Sequence, residues 1–464
     1  MQRAFVSLLL LCTAFPISAA TPDFDTSHRE IVTNLQRFVQ IDTSNPPGNE
    51  TKGALFLEAL LDREGIPSEI VEKVPGRGNL IARLRGNGKK KPILLMGHID
   101  VVGVEREKWT VDPFAGVIKD GFLYGRGVSD DKAMTVACLE VMRLLKRGNV
   151  ALDRDVIFLA EAGEESSTGV GMNFVVGQHW EKIACEFALN EGGGFRMENG
   201  EVKFLGVSPT EKVPRTILLR AKGTSGHGSK PRLDNPIVHL GAAVAKFGVW
   251  QSPMRLNETT REYFKRLATI SPPEKALLYK NVEDPALTKQ IQETFRASDI
   301  TRNSMLRTSI SPNIFKGGFR GNVIPGDAEA TLDVRALPDE DMEAFLSTLR
   351  AVIDDPAIEI IPQWGEDARP VTPPSRLDSE LFLALERTQK RMFPKAITLP
   401  MMLTGATDSA QLRAKGVQAY GIGSLATEED GNRIHGNDER LSISGLRPFL
   451  EFVYSVVVDV AGAK

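Results

Sequence analysis

Apolar residues recur along the first half of the chain at two alternating spacings. A helical spacing appears at residues 31–39 and again at about 52–64, where Gly65 can end the helix in a left-handed conformation. A long helix is expected at about 131–146. Short apolar runs that are typical of strands lie at residues 79–84, 92–97, 155–160 and 185–190. This alternation predicts an α/β fold in which a mostly parallel sheet is flanked by helices.

The pattern changes after Pro214, where a second unit is expected. Its predicted elements are, in order, a strand at 216–221, a helix at 235–246, strands at 311–316 and 328–335, a helix at 339–353 and a strand at 357–361. This β-α-β-β-α-β order predicts a ferredoxin-like α+β domain inserted at residues 213–365. A polar, mainly helical stretch at about 250–302 is longer than the connection requires, so an additional helical segment is expected there. Residues 21–212 and 366–464 then form the main domain.

The N-terminus has the features of a cleaved signal peptide, which we expect at residues 1–20. Arg3 precedes an apolar run at 4–15, and small residues follow at 18–20. No later stretch of the sequence reaches the roughly 18 uninterrupted apolar residues that a membrane helix needs. We therefore expect a secreted or periplasmic protein with no membrane span.

The composition is that of an ordinary globular protein. Of the 464 residues, 42% are apolar and 25% are charged, and the net charge of −3 gives no electrostatic reason to expect nucleic acid as a partner. This length is sufficient for two domains. Outside the signal peptide only Cys138 and Cys185 remain, and their apolar surroundings favour buried thiols over a disulfide.

Imidazole and carboxylate side chains follow predicted strands or precede predicted helices of the main domain. His98 follows the strand at 92–97, and Asp100 points to the same side of an extended chain, so it can accept a hydrogen bond from the His98 ring. The other positions are Asp130, Glu164 with Glu165, Glu191 and His435. Each alone has a plain structural explanation, such as helix capping or surface charge. Together, two imidazoles and three carboxylates predict a site for a pair of zinc ions.

In these five ordered motifs the chain resembles the co-catalytic dizinc hydrolases. That family includes glutamate carboxypeptidase, aminoacylase, succinyl-diaminopimelate desuccinylase and the carboxypeptidase S type of vacuolar peptidase. The resemblance covers essentially the whole mature chain. It implies two zinc ions per chain, for which cobalt or manganese can substitute, and an inserted domain that serves as a lid.

The resemblance also implies a role for each motif residue. One zinc is held by His98 and Glu191, the other by Glu165 and His435, and Asp130 bridges both. Two further residues act beside the metals, Asp100 by orienting His98 and Glu164 as the general base. A cis peptide bond is implied between Asp130 and Asp131.

Residues of the inserted domain match the family as well. Within residues 226–231, His227 is implied to reach over the metals and donate a hydrogen bond to the developing oxyanion. Within residues 317–325, Asn322 is implied to contact substrate, and Arg335 to bind the substrate carboxylate. The loop at 405–408 resembles the family's last substrate-facing loop, through Gly405 and Thr407, although a plain helix N-cap explains this loop equally well.

The resemblance implies hydrolysis of an amide bond next to a free carboxylate. The expected substrate is a small peptide, cut by carboxypeptidase or dipeptidase action. Deacylation of an N-acyl amino acid is the alternative, because the ligand set serves both reactions. A metal-dependent binding protein that has lost catalysis is a further alternative. Closure of the lid would need hinges near Pro214 and 363–365. Relatives with and without a homodimer through the inserted domain leave the oligomeric state open.

Overall fold

The computed structural model describes residues 22–365 and 368–463, and the predicted signal peptide lies outside them. The first segment of the main domain ends at Glu211. Its elements are α1 (Phe24–Val39), α2 (Glu50–Asp62), β1 (Ser68–Glu72), β2 (Gly78–Leu84), β3 (Ile93–His98), β4 (Val117–Lys119), β5 (Phe122–Tyr124), α3 (Ala133–Arg147), β6 (Val156–Glu161), α4 (Met172–Gln178), α5 (Trp180–Ile183), β7 (Phe187–Asn190), β8 (Gly194–Glu198) and β9 (Glu201–Glu211).

The inserted segment follows directly. Its elements are β10 (Val213–Lys222), β11 (Gly226–His227), α6 (Pro236–Phe247), α7 (Glu258–Leu267), α8 (Pro273–Lys280), α9 (Thr288–Ser298), α10 (Ile300–Met305), β12 (Ser309–Gly317), β13 (Val323–Ile324), β14 (Asp327–Ala336), α11 (Met342–Ile353) and β15 (Ile358–Pro362). The chain then returns to the main domain with α12 (Glu380–Met392), β16 (Ile397–Leu403), α13 (Ser409–Ala414), β17 (Gln418–Gly421), β18 (Leu425–Ala426), α14 (Glu428–Gly431), β19 (Arg440–Ser442) and α15 (Ile443–Ala461).

The large sheet of the main domain is mixed, with parallel strands at its centre. Strands β6, β3, β7 and β17 are parallel neighbours, whereas β1, β2 and β9 add antiparallel pairs on either side. Helices α1, α3 and α15 pack together, and their apolar faces share one buried core with the sheet. The predicted α/β fold is confirmed. Because β3, β6 and β7 run in the same direction, their carboxyl ends meet at one edge, where such folds bind ligands.

The strands of the inserted segment form a separate antiparallel sheet. Its order is β12-β14-β10-β15, and α6 and α11 cover one face with a small apolar core of their own. This is the strand order expected for the predicted ferredoxin-like arrangement. The predicted helical stretch is present as α7 to α10, but its apolar residues pack with Leu399 and Met402 of β16. These helices belong to the inserted segment in sequence, but in space they pack against the main sheet.

Several local features of the chain accompany this fold. The dipeptides at 120–121 and 199–200 have positive φ at both positions, as tight hairpin turns require, and they connect β4 to β5 and β8 to β9. Helix α3 begins later than predicted, since Asp130 and Asp131 have non-helical backbone angles. Cys138 and Cys185 are both free thiols. Within the described residues, no helix is long and apolar enough to cross a membrane.

Candidate metal centre and active site

A first group of ligand atoms lies at the carboxyl end of β3. Nε2 of His98 is 3.0 Å from Oδ1 of Asp130 and 4.0 Å from Oε1 of Glu191. His98 is buried, whereas Asp130 and Glu191 are partly accessible. Three potential metal ligands, one nitrogen and two oxygens, therefore face one point.

A second group lies next to the first and shares Asp130 with it. Nε2 of His435 is 3.0 Å from Oδ2 of Asp130 and 3.1 Å from Oε1 of Glu165. Asp130 thus presents a different carboxylate oxygen to each histidine. This arrangement brings together all five residues that the sequence predicted as metal ligands, and it gives Asp130 the bridging position.

The donor set fits two zinc ions. Each group supplies three nitrogen or oxygen ligands, which leaves a position for water or substrate, as in catalytic zinc sites. Burial opposes ionisation of Asp130, but hydrogen bonds from His435 and His98 hold the pKa of its carboxyl below its usual value. Hydrogen bonds to Asp130 and Glu165 raise the pKa of His435 to about 10. The carboxylates beside His435 and His98 therefore favour positive charge between the ligands.

Asp100 contacts His98 in a way that differs from the prediction. Nδ1 of His98 lies 2.9 Å from the main-chain oxygen of Asp100 and 3.6 Å from its carboxylate, so the main chain makes the hydrogen bond. The carboxylate instead accepts the main-chain N–H groups of Glu164 and Glu165 at 3.0 and 3.1 Å. It also accepts from the side chain of Asn45 at 2.7 Å. Asp100 thereby fixes both His98 and the two glutamates.

Glu164 stands beside the metal groups without belonging to either. Its side chain is largely buried, and burial raises the pKa of its carboxyl to about 8, although Arg369 and His98 act in the opposite direction. Oε1 of Glu164 accepts a hydrogen bond from Nη2 of Arg369 at 2.5 Å. The same guanidinium lies 3.4 Å from Asp408. A carboxylate with a raised pKa next to a metal site has the properties of a general base.

These groups open into a cavity of about 1070 Å³ between the two sheets. Arg335, Gly405 and Thr407, three of the predicted substrate-binding residues, line it together with the metal ligands Asp130, Glu165, Glu191 and His435. Pro214 and residues 363–365 of the expected hinges line it as well. The cavity therefore joins the metal centre to the base of the inserted sheet.

The family is identified by the sequence pattern of "Peptidase family M20/M25/M40", which matches residues 94–459. The chain belongs to this family. Its members hydrolyse amide bonds with the help of metal ions, and that activity holds for this M20 protein.

Individual relatives agree with this assignment. Human "N-fatty-acyl-amino acid synthase/hydrolase PM20D1" is 29% identical over 377 residues, which cover 79% of this chain and 74% of the human protein. Aminoacylase-1 from Sus scrofa is 27% identical over 417 residues, which cover 88% of this chain and 90% of that one. The M20 family metallo-carboxypeptidase Sso-CP2 from Sulfolobus solfataricus superimposes with a TM-score of 0.70 at 20% identity, over 93% of this chain and 99% of its own. The last comparison shows that the fold is shared.

Two predicted site residues of the M20 protein lie away from the cavity. His227 and Asn322 are exposed and lie on paired short strands and their connection, where the main-chain N–H of Gly228 donates to the carbonyl of Asn322 at 2.8 Å. Nδ1 of His227 accepts the main-chain N–H of Ser229 at 3.1 Å. Neither residue lines the cavity in the described part of the chain. The expectation that His227 stands over the metals is therefore not met in this conformation, because it lies on the small two-stranded sheet of β11 and β13, which is separate from the main sheet in the described part of the chain.

The loop at 405–408 combines a substrate-facing and a structural part. Thr407 is buried, and its hydroxyl donates to Glu211 at 2.8 Å and accepts from the main chain of Ser409 at 3.2 Å. These bonds occupy the hydroxyl and support the start of α13. Gly405 lines the cavity, and a Cβ atom added there would meet no atom of the surrounding structure within 4 Å.

Arg369 is the site residue that sequence reasoning missed. It lies in the irregular segment between β15 and α12, and it contacts Glu164, 205 residues earlier in the chain. That segment has no apolar periodicity and no glycine-rich motif. The only signal was an arginine near the predicted domain boundary, which is not specific.

Proposed function

We propose that the protein is a co-catalytic dizinc hydrolase that cuts the amide bond next to the free carboxylate of a small peptide, as a carboxypeptidase or dipeptidase. The observation that carries the proposal is the shared position of Asp130. Its two oxygens face the two histidines separately, and Glu164, which belongs to neither ligand group, lines the same cavity. A single structural metal would not require this arrangement.

The residues of the site suggest how the reaction proceeds. Bound zinc ions would supply Lewis acidity and would lower the pKa of a bound water molecule to near neutrality. Oε1 of Glu164 accepts from Arg369, so we assign proton transfer to Oε2. That oxygen takes the proton of the attacking water and passes it to the leaving nitrogen. We assign the binding of the substrate carboxylate to Arg335, which lines the cavity.

His227 enters this scheme only after a movement or an association. Donation from its ring to the oxyanion needs closure of the inserted domain about Pro214 and residues 363–365, or a contribution from a second chain. The edge strand β12 favours association, because Ile314 and Phe315 are each 47% exposed. We therefore propose a homodimer through the inserted domain. Light scattering of the natural chain and of Phe315→Glu tests it, with loss of the dimer expected only in the variant.

Deacylation of N-acyl amino acids is the second candidate function. Two relatives are an N-fatty-acyl-amino acid synthase/hydrolase and an aminoacylase. Three apolar side chains of the cavity wall, Trp364, Leu403 and Ile434, could accommodate an acyl chain. Both candidates require the same metal centre and the same base.

A matched substrate panel separates these functions. Dipeptides and N-acyl amino acids that share one carboxyl-terminal residue are incubated with the zinc-loaded protein, with and without chelator, and released amino acid is measured. We expect chelator-sensitive release, with higher kcat/KM for the dipeptides. Higher kcat/KM for the acylated series would transfer the assignment to the aminoacylase reaction. Bound zinc without any release across the panel would favour a binding protein that lacks catalysis.

We further propose that the protein is secreted or periplasmic. The apolar run at 4–15, preceded by Arg3 and followed by small residues, supports this location. Expression of the full chain in a bacterium, followed by N-terminal sequencing of the periplasmic product, should give a protein that begins near residue 21. A product that retains Met1 in the cytoplasmic fraction would contradict this location.

A further inference from the structure

A buried ion pair connects the two loops that carry Asp130 and His435. Arg126 lies in the loop before Asp130, and Glu439 follows His435 by four residues. Nη1 of Arg126 donates to Oε2 of Glu439 at 2.7 Å, and the two residues are 2% and 1% exposed. Such burial makes the pair costly to separate, since either partner alone would leave an uncompensated charge.

The Glu439 carboxylate binds the backbone of the Asp130 loop directly. It accepts the main-chain N–H groups of Gly127 at 3.0 Å, Ser129 at 2.9 Å and Asp130 itself at 3.2 Å. In the opposite direction, the hydroxyl of Ser129 donates to the carbonyl of Arg440 at 3.1 Å. These bonds therefore connect the backbone of the Asp130 loop to the His435 loop and restrain the distance between them.

Arg126 holds the His435 loop in the same way. Nη2 donates to the carbonyl of Gly436 at 2.8 Å and to that of His435 at 3.3 Å. His435 has φ of 61°, in the left-handed region that residues other than glycine seldom adopt. Its side chain is 52% exposed, so packing around the ring does little to fix it. The two bonds from Arg126 therefore help to hold the main chain of the His435 loop in this conformation.

We propose that Arg126 and Glu439 are positioning residues that set the distance between Asp130 and His435, and thereby complete the metal site of Asp130, Glu165 and His435. This inference rests on the proposed dizinc function. Both residues contact the metal ligands only through main-chain groups. Arg126 donates to the carbonyl of His435, and Glu439 accepts the N–H of Asp130. The site of His98, Asp130 and Glu191 depends less on the pair, since His98 is fixed by strand β3 and Asp100.

Stepwise zinc titration against a chromophoric chelator tests the proposal. The full-length natural chain is compared with Glu439→Gln and with Glu140→Gln as a control. Glu140 is also buried and pairs with Arg143 at 2.6 Å, but both belong to α3. We expect Glu439→Gln to weaken one zinc by about 10- to 100-fold, the usual effect of removing a residue that supports metal ligands. Glu140→Gln should leave both dissociation constants unchanged.

Two further variants separate positioning from folding. In a His435→Ala background, which keeps only the site of His98, Glu439→Gln should change the remaining dissociation constant by less than about three-fold. The double variant Arg126→Met/Glu439→Gln removes both charges, so it folds without a lone buried charge, and it should show the same weakening of one zinc. Urea unfolding of each metal-free variant reports the fold separately.

The outcomes are distinguishable from failure of the proposed function. If the natural chain binds fewer than two zinc ions, the dizinc proposal fails. If it binds two, and Glu439→Gln and the double variant bind both as tightly, the positioning role is wrong. Equal weakening of zinc in the His435→Ala background would also overturn it, because the effect would then not be specific to one site.

Discussion

Lys212, a buried lysine at the junction of the two sheets, allows a quantitative test of what its burial costs in stability. It lies between β9 and β10, and its side chain is fully buried, with Nζ 3.0 Å from the hydroxyl of Ser304 and 2.8 Å from that of Ser309. Burial lowers its pKa from 10.5 to about 7, and Arg335 and Arg307 act in the same direction. We predict that Lys212→Met stabilises the protein at low pH and loses this advantage at high pH.

The magnitude follows from linkage. The difference between the pKa values of the unfolded and folded chain corresponds to about 5 kcal/mol. Below pH 7 the ammonium is charged in both the folded and unfolded states, so the full penalty of burial applies. Between pH 7 and 10.5 the unfolded chain keeps the proton that the folded chain has released, and stability therefore rises with pH. Methionine removes the penalty but leaves two hydroxyls without their partner, at about 1 kcal/mol each.

Urea unfolding at pH 6, 8 and 9.5, followed by tryptophan fluorescence, measures the difference. We expect Lys212→Met to be more stable than the natural chain by about 3 kcal/mol at pH 6 and about 1 kcal/mol at pH 8, with near equality at pH 9.5. Lys119→Met, in an exposed strand, serves as the control and should give a difference that does not depend on pH. The reasoning would be refuted if the natural chain were more stable than Lys212→Met at pH 6. A difference in free energy of unfolding that did not change with pH would refute it as well.

Three further predictions concern the active site. Glu164→Gln should retain both zinc ions by metal analysis but lower kcat by about 10²- to 10⁴-fold, and an unchanged kcat would remove Glu164 from its role. Arg369→Met removes a charge that lowers the pKa of Glu164, so the acid limb of the kcat/KM profile should move to higher pH; a shift to lower pH would be inconsistent with their contact. His227→Ala should lower kcat with little change in zinc content, whereas loss of zinc would mean that His227 has a structural role instead.

The metal centre could be predicted from sequence because most of its residues are tied to regular elements. His98, Glu164, Glu165 and Glu191 follow central strands that run in the same direction, and the carboxyl ends of such strands meet at one edge. His435 was harder to place, since it lies in an irregular loop and its distance to Asp130 depends on packing between segments 305 residues apart. The family motifs, rather than periodicity, linked it to the site.

Other features depend on packing that no local pattern encodes. Arg369 reaches Glu164 from an irregular segment, so neither spacing nor composition indicated the contact. Helices α7 to α10 were expected as helical, but their apolar residues could equally have covered the inserted sheet. The Asp100 carboxylate accepts hydrogen bonds from the main chain of Glu164 and Glu165. These bonds depend on the conformation of the loop that follows β6.

Zinc stoichiometry tests the central claim most directly. Metal-free protein is titrated with zinc, and bound metal per chain is measured for the natural sequence, His435→Ala and Asp130→Ala. The shared carboxylate predicts two ions in the natural chain, one after loss of His435, and a weakening of both sites after loss of Asp130. One ion in the natural chain, or two tightly bound ions without Asp130, would contradict the account.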